Sequence, residues 1–398
     1  MIPPEGGTTK PSSTMTRRSQ LKLLVILLAL TLPVLGRAGS TEGELESDKV
    51  KLPAGIPPEV WSYFIPKDNR VTGAKVELGR QLFFDKRLSA DGAVSCATCH
   101  DPELAFADGR SVAEGIGGRR GSRNSPSLFN AMFNSGQFWD GRADTLEAQA
   151  VLPLINPDEM GNASQAQVVD RLAQLPEYAG QFKRVFGTSV TIDGLGKAIA
   201  AYERTLVSAN APIDRFGAGD RDAMSMAAQR GLALFRGRAR CSICHTINPA
   251  FPFFSDQNYR NTGVSTETAG FDVLARRATK AVIGVKDVGA ALGMLSKEAG
   301  ASNLGRFLVS GNPLDIGSFR TPSLRNVELT APYFHNGSVK TLKDVLAFYS
   351  KGGGDDPRRD WELLPLGLSD DEQGDLIEFL KALTSDDART PKPTVSVR

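Results

Sequence analysis

The 398-residue chain has only four cysteines and three histidines, and two copies of one pentapeptide, CATCH (Cys96 to His100) and CSICH (Cys241 to His245), take every cysteine and two of the histidines. Cys-x-x-Cys-His is the attachment pattern of c-type haem. Two thiols three positions apart reach the two vinyl groups of one porphyrin, and the following histidine is placed under the iron as its proximal ligand. Other uses of the pattern explain less. A thioredoxin-like Cys-x-x-Cys needs a strand–helix setting and leaves the two histidines without a role, and a zinc site drawn from both pairs leaves the N-terminus unexplained. The motifs therefore predict two covalent haems, with His100 and His245 as proximal ligands and no disulfide.

The remaining axial positions decide the chemistry. An electron carrier fills both positions of each iron, whereas a peroxidase leaves one open for the oxidant. After Cys96 no histidine, and no methionine before Met132, is available to cover the first haem, so an open or water-bound iron is expected there, with Met160 the main competitor. After Cys241 the candidates are Met294, His335 and Tyr349, and spacing does not choose among them.

The elements that must position these groups are helices. VELGRQLFFDKRLS precedes the first motif and AAQRGLALFRGRAR the second, both apolar at helical spacing with Leu-Phe near the end. Near the C-terminus LSDDEQGDLIEFLKALTS carries a capping box, Ser369 with Glu372, ahead of an apolar face of Leu376, Ile377, Phe379, Leu380 and Leu383. DGLGKAIAAYERTLVS reads as its counterpart in the first half. The fold class is thus mainly α, with two tandem cytochrome c-like haem domains divided near 209–216. The expected organisation is a signal peptide at 1–38, a linker at 39–58, the N-terminal haem domain at 59–210, the C-terminal one at 211–385 and a tail at 386–398.

Composition adds limits. A hydrophobic content of 41% and a charged content of 23% belong to a globular chain, and a formal charge of +2 gives no reason to expect nucleic-acid binding. Arg17, Arg18 and Lys22 precede the apolar run LLVILLALTLPVL, which gives way to small residues at Gly36, Ala38 and Gly39. This is the pattern of a cleaved secretory signal, too short to span a bilayer, with cleavage expected near 38/39 and a start at Met15 allowed. Export places the protein in the periplasm. Four cysteines there would ordinarily form two disulfides, but the adjoining histidines argue for haem.

Two longer runs, RNSPSLFNAMFNSGQFWDGRADTLEAQAVLPLINPDEMGN and FRTPSLRNVELTAPYFHNGSVKTLKDVLAFYSKGG, make residues 70–385 resemble the bacterial dihaem cytochrome c peroxidases and their MauG-type relatives. The resemblance implies that the N-terminal haem reacts with peroxide and the C-terminal haem relays electrons. It places Gln149 and Glu159 in the distal pocket of the first haem with Pro153 beside them, and Trp139 between the haems as an electron-hopping site. The residues support it locally: ADTLEAQAVL reads as a short helix ended by Pro153, with Glu159 on the loop beyond, where a carboxylate can carry a proton between the two oxygens of peroxide. Asn124, with the backbone oxygens of Thr330 and Pro332, matches an interdomain calcium site, and all-oxygen ligation suits that ion. His335 matches a residue near the second haem that is not a ligand.

There are two departures from the family pattern. The loop DPELAFADGRSVAEGIGGRRGSRN lacks the usual distal histidine, so reductive activation is not required. Tyr349 stands where the typical peroxidase has a methionine ligand, which is the MauG arrangement. The segment 265–305, including Met294, exceeds the family pattern and has no assignment. The function expected first is reduction of hydrogen peroxide to water, with electrons from a small c-type cytochrome or a cupredoxin. The alternative is a MauG-like oxidation of tryptophan or another side chain in a partner protein. Electron transfer without catalysis would leave Gln149 and Glu159 unused. A homodimer is compatible with either reading.

Overall fold

The structure is a computed structural model that describes residues 52–389. The expected signal peptide, most of the linker and the end of the tail lie outside the described residues. The fold is mainly helical, with one small sheet in which β1 (Tyr259–Asn261) pairs antiparallel with β2 (Ser318–Arg320), Tyr259 opposite Arg320.

Ten helices carry the argument. They are α1 (Gly73–Phe84), α2 (Leu146–Val151), α3 (Gln165–Ala173), α4 (Pro176–Phe186), α5 (Ile192–Glu203), α6 (Met226–Arg236), α7 (Phe271–Val282), α8 (Val288–Leu295), α9 (Leu342–Ser350) and α10 (Asp370–Lys381). Their starts are set by side-chain caps that satisfy otherwise orphaned amides. Thr72 Oγ1 accepts from Lys75 N, Thr191 from Gly194 N and Ser225 from Ala228 N. At α10 the capping box is reciprocal: Glu372 N donates to Ser369 Oγ (3.3 Å) and Ser369 N to Glu372 Oε2 (2.9 Å).

The helix ahead of each haem motif crosses a helix that closes its half, α1 on α5 and α6 on α10. Each crossing is made at a glycine. A β-carbon on Gly79 would lie 1.9 Å from the carbonyl oxygen of Ala198, and one on Gly231 2.0 Å from that of Asp375. Four residues after each glycine comes a buried phenylalanine, Phe83 against Tyr202 (5.2 Å between ring centroids) and Phe235 against Phe379 (4.9 Å). Leu78, Leu82, Leu195, Ile199 and their neighbours form one apolar core, and Leu232, Leu376, Leu380 and Leu383 belong to a second.

A third cluster joins residues from both halves, among them Trp61, Met132, Phe133 and Phe253, with Phe133 stacked on Phe253 at 4.1 Å. The described residues accordingly belong to one compact unit. The unassigned segment is a helical pair with its own core. Phe271, Leu274, Ala275 and Ala278 of α7 pack with Leu295, Leu304, Phe307 and Ile316. It is tied to the rest by Arg306 Nη1, which donates to the carbonyls of Asp140 and Gly141 (both 3.0 Å).

Candidate active site

Each Cys-x-x-Cys-His motif is one tight turn with its histidine fixed from behind. His100 N donates to Cys96 O (3.0 Å) and His245 N to Cys241 O (2.9 Å). His100 Nδ1 bonds Phe106 O (3.1 Å) and His245 Nδ1 bonds Phe254 O (2.9 Å). A carbonyl only accepts, so Nδ1 carries the proton in both rings and Nε2 keeps its lone pair for a metal. Phe106 and Phe254 deliver these carbonyls from a left-handed backbone, φ +57° and +52°. Bulky residues seldom adopt it, and such conformations concentrate at functional sites. Burial lowers the pKa of both histidines, which favours the neutral, ligating form.

The four thiols are free, and burial pushes Cys96 and Cys241 up to about 12 and Cys99 and Cys244 up to about 11. The two pairs line different cavities, which removes a zinc site drawn from both. Each cavity offers two thiols and a bare imidazole nitrogen on one wall, and this donor set fits a c-type haem.

The first cavity brings together Cys96, Cys99, His100, Gln149, Pro153 and Glu159. Gln149 projects from α2, and Pro153 turns the chain into a short 3₁₀ segment, Pro153–Ile155. Asn156 Nδ2 then donates to Glu159 Oε1 (2.9 Å), and Glu159 O accepts from Ile116 N (2.9 Å). Burial raises the Glu159 pKa, against the pull of the Arg142 charge. The loop 101–123 contributes Ala113, Gly121, Ser122 and Arg123 to the wall, none with an imidazole. Met160 lines the cavity from within the first apolar core, whereas Met132 packs in the cluster joining the halves.

Sequence reasoning missed Glu203. It lies one helical turn beyond Ile199 on α5, and both face the first cavity. Its side chain is buried, Oε2 has no hydrogen-bond partner, and burial pushes its pKa up to about 8. A lone acid ending the apolar run of AIAAYE was the available signal.

The second cavity brings Cys241, Cys244 and His245 together with Tyr349. Tyr349 comes from α9, which is capped by Thr341. Burial raises its phenol pKa, and the Cys244 and Cys241 thiols add to the effect. Met294 is 68% exposed on α8 and does not line this cavity. His335 does line it, but its Nε2 donates to Asn303 Oδ1 (2.9 Å) and its ring stacks on Phe319 at 3.6 Å. Burial and the Arg123 charge hold it neutral. Asn303 belongs to the segment that the sequence left unassigned.

Trp139 lines both cavities, and its Nε1 donates to Asn124 O (2.9 Å). Asn124 N donates to His335 O (2.8 Å) and its Nδ2 to Arg110 O (2.8 Å), so the side chain is held with Oδ1 free. Asn124, Thr330 and Pro332 all line the second cavity.

These features coincide with what comparison finds. A family model described as di-haem cytochrome c peroxidase matches residues 73–222, and one described as RoxA-like, cytochrome c-like matches 318–351. The cytochrome-c peroxidase IdrP1 of Denitromonas iodatirespirans is 41% identical over 327 residues, covering 80% of this chain and 84% of that protein. The methylamine utilization protein MauG of Methylorubrum extorquens is 38% identical over 330 residues, covering 82% and 83%. A crystal structure of a MauG-like protein associated with microbial copper homeostasis superposes with a TM-score of 0.68 at 31% identity, covering 83% of this chain and 95% of that one. The chain belongs to the di-haem cytochrome c peroxidase family, as its motifs implied, and is an oxidoreductase. No helix among the described residues is long and apolar enough to cross a membrane.

Proposed function

We propose that the protein is a periplasmic two-haem peroxidase that reduces hydrogen peroxide to water with electrons from a small c-type cytochrome or a cupredoxin. One observation carries this reading: Glu159 and Gln149 face the cavity of His100, while a second such cavity shares a wall containing Trp139. Haem bound through Cys96 and Cys99 would supply the iron and electrons that break the O–O bond. Glu159 as carboxylate would take a proton from one oxygen of the peroxide and return it to the other, so that this second oxygen leaves as water. Two electrons and two protons from outside complete the second water. Gln149 orients the peroxide through its carboxamide, and Trp139 carries electrons across the shared wall. In this reading the halves 59–210 and 211–385 are tandem cytochrome c-like domains, the second haem binding through Cys241, Cys244 and His245.

Tyr349 favours a second reading, in which it ligates the second iron and the protein oxidises a side chain of a partner protein. A phenolate stabilises ferric iron and lowers its potential relative to methionine. A calcium ion between the halves would draw on Asn124 Oδ1 and the carbonyls of Thr330 and Pro332, all three residues lining the second cavity and these oxygens accepting no hydrogen bond among the described residues.

The test is to mix the isolated, fully ferric protein with hydrogen peroxide. A prompt spectral change without prior reduction is expected, because the loop 101–123 has no histidine to block the first iron. Two six-coordinate low-spin haems that stay inert to peroxide until half-reduced would overturn the reading and implicate Met160 or another side chain as a sixth ligand.

A further inference from the structure

Three arginines, Arg204, Arg320 and Arg325, are almost fully buried and Arg123 is largely so, and all but Arg320 have a carboxylate partner. Arg123 pairs with Asp140 (2.6 Å), Arg204 with Glu147 (2.7 Å) and Arg325 with Asp214 (2.7 Å). Arg320, the last residue of β2, is 6% exposed and has no acidic partner among the described residues. Its Nη1 donates to Asn134 Oδ1 (2.9 Å) and lies 3.5 Å from its neighbour's carbonyl, Thr321 O, while Nε finds no acceptor. Burial depresses its pKa to about 10, which still leaves it charged at neutral pH. A buried, unpaired guanidinium is costly unless an anion completes it.

Its position indicates where that anion sits. Arg320 lines both cavities, in the same wall as Trp139 and Asn134. Its backbone N donates to Trp139 O (2.8 Å), which fixes the strand against that wall. Any anion reaching the guanidinium must therefore enter through one of the haem cavities. The group proposed for each cavity brings its own carboxylates, and a planar guanidinium fork matches a carboxylate with two parallel hydrogen bonds.

We propose that Arg320 is the counter-ion of haem carboxylates at the wall between the two sites, and that its charge holds up the reduction potential of the adjoining iron. The inference rests on the two-haem reading. A cation beside the carboxylate offsets a negative charge that would otherwise favour the ferric state. Removing it should lower the potential.

The experiment uses the full-length holoprotein as wild type, Arg320→Lys and Arg320→Gln, each checked by mass spectrometry and titrated spectroelectrochemically. Arg320→Gln should keep both thioether-linked haems and show a downward shift in the midpoint potential of at least one. Arg320→Lys should keep most of the wild-type value. Unchanged potentials in Arg320→Gln, or equal shifts in both variants, would overturn the assignment. A free anion is the other source of the same chemistry, and wild-type potentials that vary with chloride or phosphate at fixed ionic strength would show that it, and not the haem, is bound. If Arg320→Gln does not accumulate, redox-difference infrared spectra of wild type with ¹³C-carboxylate haem decide the matter. Ionised, ion-paired carboxylate bands are expected, and protonated ones overturn the proposal. A wild-type mass short of two haems would instead defeat the two-haem reading, and this inference with it.

Discussion

Glu159 and Glu203 face the same cavity, but only one has a partner. Glu159 is steadied by Asn156, which leaves its second oxygen free for the proton transfer proposed above. Glu159→Gln preserves that contact and removes the proton acceptor, so stopped-flow peroxide reduction should slow by about 10²–10⁴-fold with little change in melting temperature. Glu203 titrates as a matter of stability. Its folded pKa of about 8 lies above its ordinary 4.5, so the folded protein binds this proton more tightly than the unfolded chain. The resulting contribution is fully present below 4.5 and is lost as pH rises towards 8. Denaturant melts at pH 5 and pH 8 should therefore show Glu203→Gln gaining on wild type as pH rises. A difference independent of pH would mean that Glu203 is already paired in the holoprotein.

At the scale of elements, the two helix crossings depend on two glycines. In Gly231→Ala the new methyl would sit 2.0 Å from Asp375 O, a backbone atom that cannot swing aside. α6 and α10 must separate, at a cost of about 1–3 kcal/mol or more, readable in thermal unfolding. The helices were legible beforehand because their apolar periods are local, as is the Ser369 cap of α10; the caps at Thr72 and Ser225 emerged only in the structure. The glycines were not, since LGRQLFF and RGLALFR do not reveal what lies opposite them. The α7–α8 segment was opaque for a related reason. Its apolar spacing at Phe271, Leu274 and Ala278 is readable, but the Asn303 contact to His335 joins residues far apart in the chain. Gln149 and Glu159 were found through resemblance. Glu203 and Arg320 escaped because a charged letter does not show its burial.

At the scale of the molecule, the proposed function divides the work between the two cavities, and Tyr349 tests how strictly. Tyr349 lines only the second cavity, whereas Trp139 and Arg320 line both. Substitution of Tyr349 by Phe keeps the ring that packs near Phe334 and Phe348 and removes only the oxygen. If that oxygen ligates the second iron, the haem spectrum and potential of the second site should change while those of the first stay close to wild type. In the proposed function, steady-state reduction of peroxide by a reduced cytochrome needs only that electrons pass the Trp139 wall, and should persist. Oxidation of a partner protein draws on an oxidising second site stabilised by phenolate, and should fail. Unchanged haem spectra in Tyr349→Phe would remove the ligand assignment and, with it, the observation favouring oxidation of a partner protein. Loss of both activities together would mean that the cavities do not act separately, and that the second iron's ligand governs electron entry to the first.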